Sequence, residues 1–184
     1  MIDSERIFLR KIDGADAATL LKWGQDDIYH QTAGFEKFDD IKQAQKAANQ
    51  YHKRPYSFAI IEKNTNKMIG LVELYERGLD EQAGLLVTKD LGFMLDKDYW
   101  QQGLMSEALT ALINYAFGEL KQQQIWAGTF PNNDASQKIL EKLGFKYVYT
   151  ADFNQAVATG EFEEKYFLLT PADWYDKMQL NTKS

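Results

Sequence analysis

The stretch with the most evident chemical potential is Leu91-Gly-Phe-Met-Leu-Asp-Lys-Asp-Tyr-Trp-Gln-Gln-Gly-Leu-Met-Ser-Glu-Ala108, where an apolar strand passes through a short loop into a strongly periodic helix. A helix N-terminus presents unpaired main-chain N–H groups and about half a positive charge, and Gly103 lets the backbone come close to whatever sits there. An anion suits that point. Ser106 can add a hydroxyl donor, and Gln101 and Gln102 are neutral and would not repel a diphosphate. The same residues also suit a plain strand–helix connection with Gly for tight packing. A second strand end feeds a helix at Asn132-Asn-Asp-Ala-Ser136, with Asn133 or Asp134 able to cap it. Ser136 then lies near the strand carboxyl ends, where open α/β sheets place ligands, although capping alone would also account for Asn133 and Ser136.

Composition narrows the chemistry further. The 184 residues include no Cys, which removes thiolate nucleophiles, acyl-Cys intermediates, disulfides and cysteine metal sites. His30 and His52 are the only imidazoles, too few for a three-histidine centre, so no metal is expected; only a bare carboxylate site for Mg²⁺ or Ca²⁺ stays open. With 21 Lys+Arg against 27 Asp+Glu the formal charge is −6, and the basic residues are scattered. That pattern predicts no nucleic-acid partner and favours a cationic substrate. Asp3, Glu5, Arg6 and Arg10 leave no room for the apolar region of a signal peptide, and no apolar run approaches the roughly 20 residues of a spanning helix. A cytoplasmic protein without membrane contact is expected, as a monomer or homodimer.

The elements that must position these residues follow from periodicity. Strands are expected at Arg6–Ile12, Tyr56–Glu62, Met68–Glu73, Asp90–Leu95, Ile125–Phe130, Phe145–Thr150 and Glu161–Leu169. Helices are expected after Asp13 through Trp23, from Ile41 to Tyr51, from Gly103 to Leu120, from Asp134 to Leu143 with Gly144 just past its end, and from Pro171. Arg77–Lys89 reads as irregular. The order predicts an α/β or α+β fold in one domain, residues 1–184, with a mixed sheet of about seven strands. Its N-terminal half would be antiparallel and its C-terminal half a parallel strand–helix–strand arrangement.

Taken in order, Glu5-Arg-Ile-Phe-Leu-Arg10, Met68-Ile-Gly70, Leu91–Leu95, Tyr99–Ala108, Asn133-Asp-Ala-Ser136 and Leu140-Glu-Lys-Leu-Gly-Phe145 resemble the GNAT superfamily of acetyl-CoA-dependent N-acetyltransferases, and within it the RimJ/RimL-like subgroup. The family's phosphate loop reads Arg or Gln, two residues, Gly, one residue, then Gly or Ala; here Trp100, Gly103 and Met105 hold those places, and two of them depart from the pattern. The resemblance implies acetyl-CoA as acyl donor, held by Phe93, Met94, Leu95, Gln101, Gln102, Gly103, Leu104, Met105, Ser106 and Asn133. The pantetheine would lie between splayed strands, and an amine would attack the thioester directly, with no covalent enzyme intermediate. A backbone N–H near Met94 or Leu95 would hold the oxyanion. Ser136 is the implied proton donor or hydrogen bonder at the leaving sulfur, with Asn133 orienting cofactor or water.

For a base, Asp90, Glu73 and Glu164 lie on strand positions that could reach the cleft, and nothing in the sequence chooses among them. His30, His52 and the aromatic group Trp23, Tyr29, Phe35, Phe38 and Tyr51 read mainly as packing, with one or two aromatics open to a place in the acceptor wall. Three functions fit: acetylation of a protein N-terminus, acetylation of a small cationic amine such as a polyamine or antibiotic, or a non-catalytic acyl-CoA-binding module.

Overall fold

The computed structural model describes residues 1–152 and 163–181. The chain forms two compact units, Met1–Leu74 with Phe93–Tyr115, and Tyr75–Gly92 with Ala116–Ser184. The first holds β1 (Ile2–Asp3), β2 (Ile7–Lys11), α1 (Ala17–Gly24), α2 (Asp27–Ala33), α3 (Ile41–Lys53), β3 (Ser57–Glu62) and most of β4 (Lys67–Glu76). The boundary then falls within β4, within β5 (Thr88–Leu95) and within α4 (Leu104–Gly118). The second holds β6 (Gln124–Thr129), α5 (Asp134–Lys142), β7 (Lys146–Asp152), β8 (Glu163–Leu169) and α6 (Pro171–Asn181). Among the described residues eight strands make a mixed sheet in the order β1-β2-β3-β4-β5-β6-β8-β7.

In the first unit each neighbouring pair from β1 to β4 is antiparallel. Helix caps account for the connections. Asp13 and Asp16 form a reciprocal capping box ahead of α1. Asp26 accepts from the Ile28 amide to start α2, and Asp40 accepts from the amides of Lys42 and Gln43 to start α3. Trp23 is fully buried and meets Phe35 edge-on at 6.2 Å, while Phe35 meets Phe38 edge-on at 5.7 Å. Tyr29 joins this cluster, so these aromatics build the core of the unit. Both histidines are tied down as well: Nδ1 of His30 lies 3.0 Å from the Phe35 carbonyl, and Nδ1 of His52 lies 2.8 Å from that of Ile12.

In the second unit one antiparallel strand is inserted into the parallel part of the sheet. β5 and β6 are parallel, but β6 pairs antiparallel with β8, and β8 pairs antiparallel with β7. The last strand therefore sits antiparallel between β6 and β7, which run in the same direction as each other and as β5, as the expected parallel strand–helix–strand arrangement requires. A crossover through α5 leaves one strand's width free, and the main chain of β8 fills it by pairing with β6 on one edge and β7 on the other. Residues 161 and 162, the expected start of that strand, lie outside the described residues. Past α5, Gly144 at φ 95° lets the Phe145 amide donate back to the Leu140 carbonyl and the Gly144 amide to that of Glu141, closing the helix in the manner its position predicts.

One contact in the first unit fixes how β4 lies on β5. A side chain at Gly70 would place its first carbon 2.5 Å from the Met94 carbonyl oxygen. Backbone cannot yield as a flexible side chain can, so Gly70→Ala should cost about 1–3 kcal/mol of stability. Urea unfolding of the two proteins checks this, and equal midpoints would show that β5 has slack at Met94.

Candidate active site

The loop at the start of α4 lies in the first unit. Gln101 and Gly103 both take left-handed φ angles, 60° and 78°, on either side of the exposed residue Gln102. The Gly103 carbonyl accepts from the Glu107 amide, which makes Gly103 the residue at the helix start. The amides of Leu104, Met105 and Ser106 then belong to a first turn that has no earlier carbonyls to pair with. Met105 is almost fully buried with Leu104, Ala108 and Leu109. The bulk that replaces a small residue in the family pattern thus points into the core and away from the loop. Trp100 is part-exposed and donates its indole N–H to the Leu95 carbonyl at 2.8 Å, closing the loop against the end of β5.

The loop is anchored at Asp96, a buried carboxylate to which sequence reading assigns no role. It accepts from Trp23 Nε1 and Lys22 Nζ, both at 2.8 Å, from the Asp98 amide at 3.1 Å and from the Tyr29 hydroxyl at 3.4 Å. Its own amide donates to the Ile69 carbonyl at 2.7 Å, and the Tyr29 hydroxyl also accepts from the Lys97 amide. Burial alone would raise the Asp96 carboxyl; the hydrogen bonds from Lys22, Trp23 and the Asp98 amide outweigh it and hold the group below the usual carboxylate range.

Of the other residues in the first unit, Met94 and Leu95 are buried and Phe93 is half-buried. Glu73 is buried in the second half of β4, where Oε1 accepts from Arg54 Nη1 at 2.8 Å and Ser57 Oγ at 2.5 Å. It is committed to two partners rather than open to solvent.

The second unit carries the remaining expected residues. Thr88–Asp90 pair with Gln124–Trp126, and the parallel register runs no further, although β5 continues to Leu95 and β6 to Thr129. Beyond Asp90 the facing main-chain groups of Leu91, Gly92 and Ala127–Thr129 are not paired with each other. At that end of β6, Thr129 Oγ1 is buried with no hydrogen-bond partner among the described residues. Asn133 caps α5, its side-chain oxygen accepting from the Ser136 amide at 3.1 Å; Ser136 itself is half-buried in the first turn.

Asp90 accepts from Arg77 Nη1 at 2.7 Å. The Arg77 guanidinium also lies 4.4 Å from the Trp126 ring centre and 5.5 Å from that of Tyr166, and donates to the Tyr149 hydroxyl. Tyr149 and Tyr166 stack at 5.0 Å, and the Tyr166 hydroxyl donates to Glu164 at 2.5 Å. Burial pushes the Asp90 carboxyl up, Arg77 works against this, and Glu164 adds to the rise. Sequence reasoning offers Asp90 and Glu164 as candidates and gives no signal for Arg77, just past β4, or for the aromatics of β6, β7 and β8, which come together from positions up to 89 residues apart, from Arg77 to Tyr166. Among the described residues no group of three or more His, Asp or Glu could hold a metal ion, and no helix is long and apolar enough to cross a membrane.

The chain matches the family model of the acetyltransferase (GNAT) domain over residues 6–146, and it belongs to that family. It is an N-acetyltransferase. It is similar to Probable N-acetyltransferase YjcK of Bacillus subtilis (strain 168), with 30% identity over 154 residues covering 79% of this chain and 83% of that one. It is also similar to the ribosomal protein uS5-alanine N-acetyltransferase of Escherichia coli (strain K12), with 28% identity over 130 residues covering 68% of this chain and 64% of that one. The crystal structure of a GNAT-family acetyltransferase from Bacillus anthracis shares the fold, with a TM-score of 0.78 at 22% identity over 92% of this chain and 97% of that chain.

Because the folded-state Asp96 carboxyl lies below its ordinary value of 3.8, its ionised form stabilises the fold above that pH. The contribution is lost as pH falls through the depressed value. Asp96→Asn should therefore cost about 1.5–3 kcal/mol at pH 7, with the gap to wild type narrowing at progressively more acid pH. Urea unfolding across a pH series checks both the size and the direction.

Proposed function

We propose that this enzyme transfers the acetyl group of acetyl-CoA to the free amino group of a protein N-terminus, as a RimJ/RimL-like member of its family. The observation that carries the cofactor reading is the loop at the start of α4: exposed backbone at Gln101–Gly103 in left-handed conformations, and first-turn amides behind it. These residues fit a diphosphate, since Gly103 has no side chain to cover the amides and a dipole end faces the charge. Acetyl-CoA, when bound, supplies an activated thioester. Gln101, Gln102, Gly103, Leu104, Met105, Ser106 and Asn133 would hold it, mostly through main chain, with Phe93, Met94 and Leu95 offering strand groups to the pantetheine. An N–H near Met94 or Leu95 would stabilise charge on the carbonyl oxygen, an interaction commonly contributing about 3 kcal/mol. The uS5-alanine enzyme supports the choice of acceptor, as a relative that acts on a protein.

The amine has to lose a proton before it attacks. Asp90 suits that step better than Glu73, because burial raises its proton affinity and one of its oxygens is not engaged by Arg77. Ser136 donates a proton or hydrogen bond to the departing sulfur, and Asn133 positions it through the cap. The net charge of −6 also suits a second acceptor class, a small cationic amine such as a polyamine. The two units together make up one catalytic domain in this reading, since the family match runs through both. The protein works in the cytoplasm as a monomer or homodimer.

Coenzyme A should raise the melting temperature of the wild type, because it binds the folded state alone. Gly103→Asp, which adds bulk and negative charge at the anion site, should abolish both that shift and the heat of binding. Unchanged binding by the variant would remove the loop from the cofactor site. Ser136→Ala should lower kcat on the order of 100-fold with little change in the acetyl-CoA KM, as expected for an interaction that strengthens while charge develops on sulfur. Thiol release with a panel of N-terminal peptides and polyamines measures this and ranks the acceptors. A loss of stability with full turnover would reduce Ser136 to a helix residue.

A further inference from the structure

Arg6 stands immediately before β2, yet its side chain reaches the start of α4. Its amide donates to Glu107 Oε1 at 2.7 Å and its Nε to Glu107 Oε2 at 2.8 Å, so both carboxylate oxygens are taken by one residue. Its Nη1 donates to the Gln102 carbonyl at 3.0 Å. The third guanidinium nitrogen, Nη2, lies 3.5 Å from where a side chain at Gly103 would begin. One planar group therefore grips the first turn of α4 and the loop residue ahead of it.

We propose that Arg6 is the positioning residue of the diphosphate loop, acting by fixing the direction of the peptide between Gln102 and Gly103. This inference rests on the cofactor reading of that loop. In a trans peptide the carbonyl and the N–H point opposite ways, so holding the Gln102 oxygen toward Arg6 turns the Gly103 N–H away from it. Gln102 lies between two residues with left-handed φ, a conformation that costs energy at Gln101 and needs a partner to hold it. Arg6 is that partner. Lys could not replace it, because one ammonium lacks the fixed fork that spans a carboxylate and a carbonyl together. Glu107 in turn holds the fork in place. Burial would raise its carboxyl, but the Arg6 amide and guanidinium outweigh that and keep it below the usual range, ionised and available to Arg6.

The test compares coenzyme A with pantetheine, which shares the thiol arm and lacks the diphosphate, each titrated calorimetrically into full-length wild type, Arg6→Ala, Arg6→Lys and Gly103→Asp. Arg6→Ala and Arg6→Lys should each weaken coenzyme A about tenfold or more while leaving pantetheine unchanged. Equal weakening of both ligands would show a general structural loss and overturn the proposal. Unchanged coenzyme A binding in the Arg6 variants, with Gly103→Asp still blocking it, would overturn the role of Arg6 and leave the loop reading standing. Unchanged binding in all three variants would remove the loop reading as well. Should Arg6→Ala fail to fold, Arg6→Lys and Glu107→Gln carry the same comparison, with weakening confined to coenzyme A expected for each.

Discussion

A charge cannot be buried unless its neighbours replace the water it loses, and Asp96 makes that requirement the organising condition of the first unit. Its carboxylate is satisfied from α1 by Lys22 and Trp23 and from α2 by Tyr29, while its amide is bound to β4 through Ile69. Helices from the first 33 residues are thereby tied to the point where β5 stops. The loop that follows begins from a fixed position, closes through Trp100 onto Leu95, and meets Arg6 at its far end. Between those two anchors its backbone is held in a conformation that few side chains would choose unaided.

Local patterns were legible in the sequence, and long-range ones were not. The apolar stripe of α4, the glycine past α5 and the cap at Asn133 each depend on residues within one or two turns. The same stripe places Met105 with Leu104, Ala108 and Leu109 in the core, a reading that helical spacing allows and that family-pattern matching obscures. α2 has seven residues and no long repeat, so only its cap at Asp26 marks it. The position of β8 between β6 and β7 left no local trace, because a strand's alternation says which face is buried and nothing about which edge it joins. The positions of Gly103, Ser136 and Asp90 at helix starts and a strand were legible in the sequence, which is why it offers them as candidates. Arg6, Asp96 and Arg77 were not, as the partners that define them lie 96, 73 and 72 positions away in the chain at Gln102, Trp23 and Tyr149.

The cluster around Arg77 shows how the second unit balances opposing electrostatic demands. Two carboxylates on adjacent parts of one sheet would repel, and a guanidinium laid across Trp126 and Tyr166 offsets one of them. Glu164 is satisfied separately by the Tyr166 hydroxyl. Asp90 is left with proton affinity above that of an ordinary aspartate, a property that solvent exposure would erase and a second cation would suppress.

The insertion of β8 between β6 and β7 bears on how the chain is made. A ribosome synthesises β6, α5 and β7 before β8, so these elements wait with an edge of each strand unmatched. α5 can form early, because its cap at Asn133 and its closing bonds at Gly144 are local. The sheet of this unit closes only when Leu169 has emerged to meet Ile125, and Lys165 to meet both Thr129 and Thr150. Pairings separated by about 40 residues form slowly because loop entropy is lost before they are gained. The interval between synthesis of β7 and docking of β8 is therefore when nascent chains of this protein most need shielding from one another.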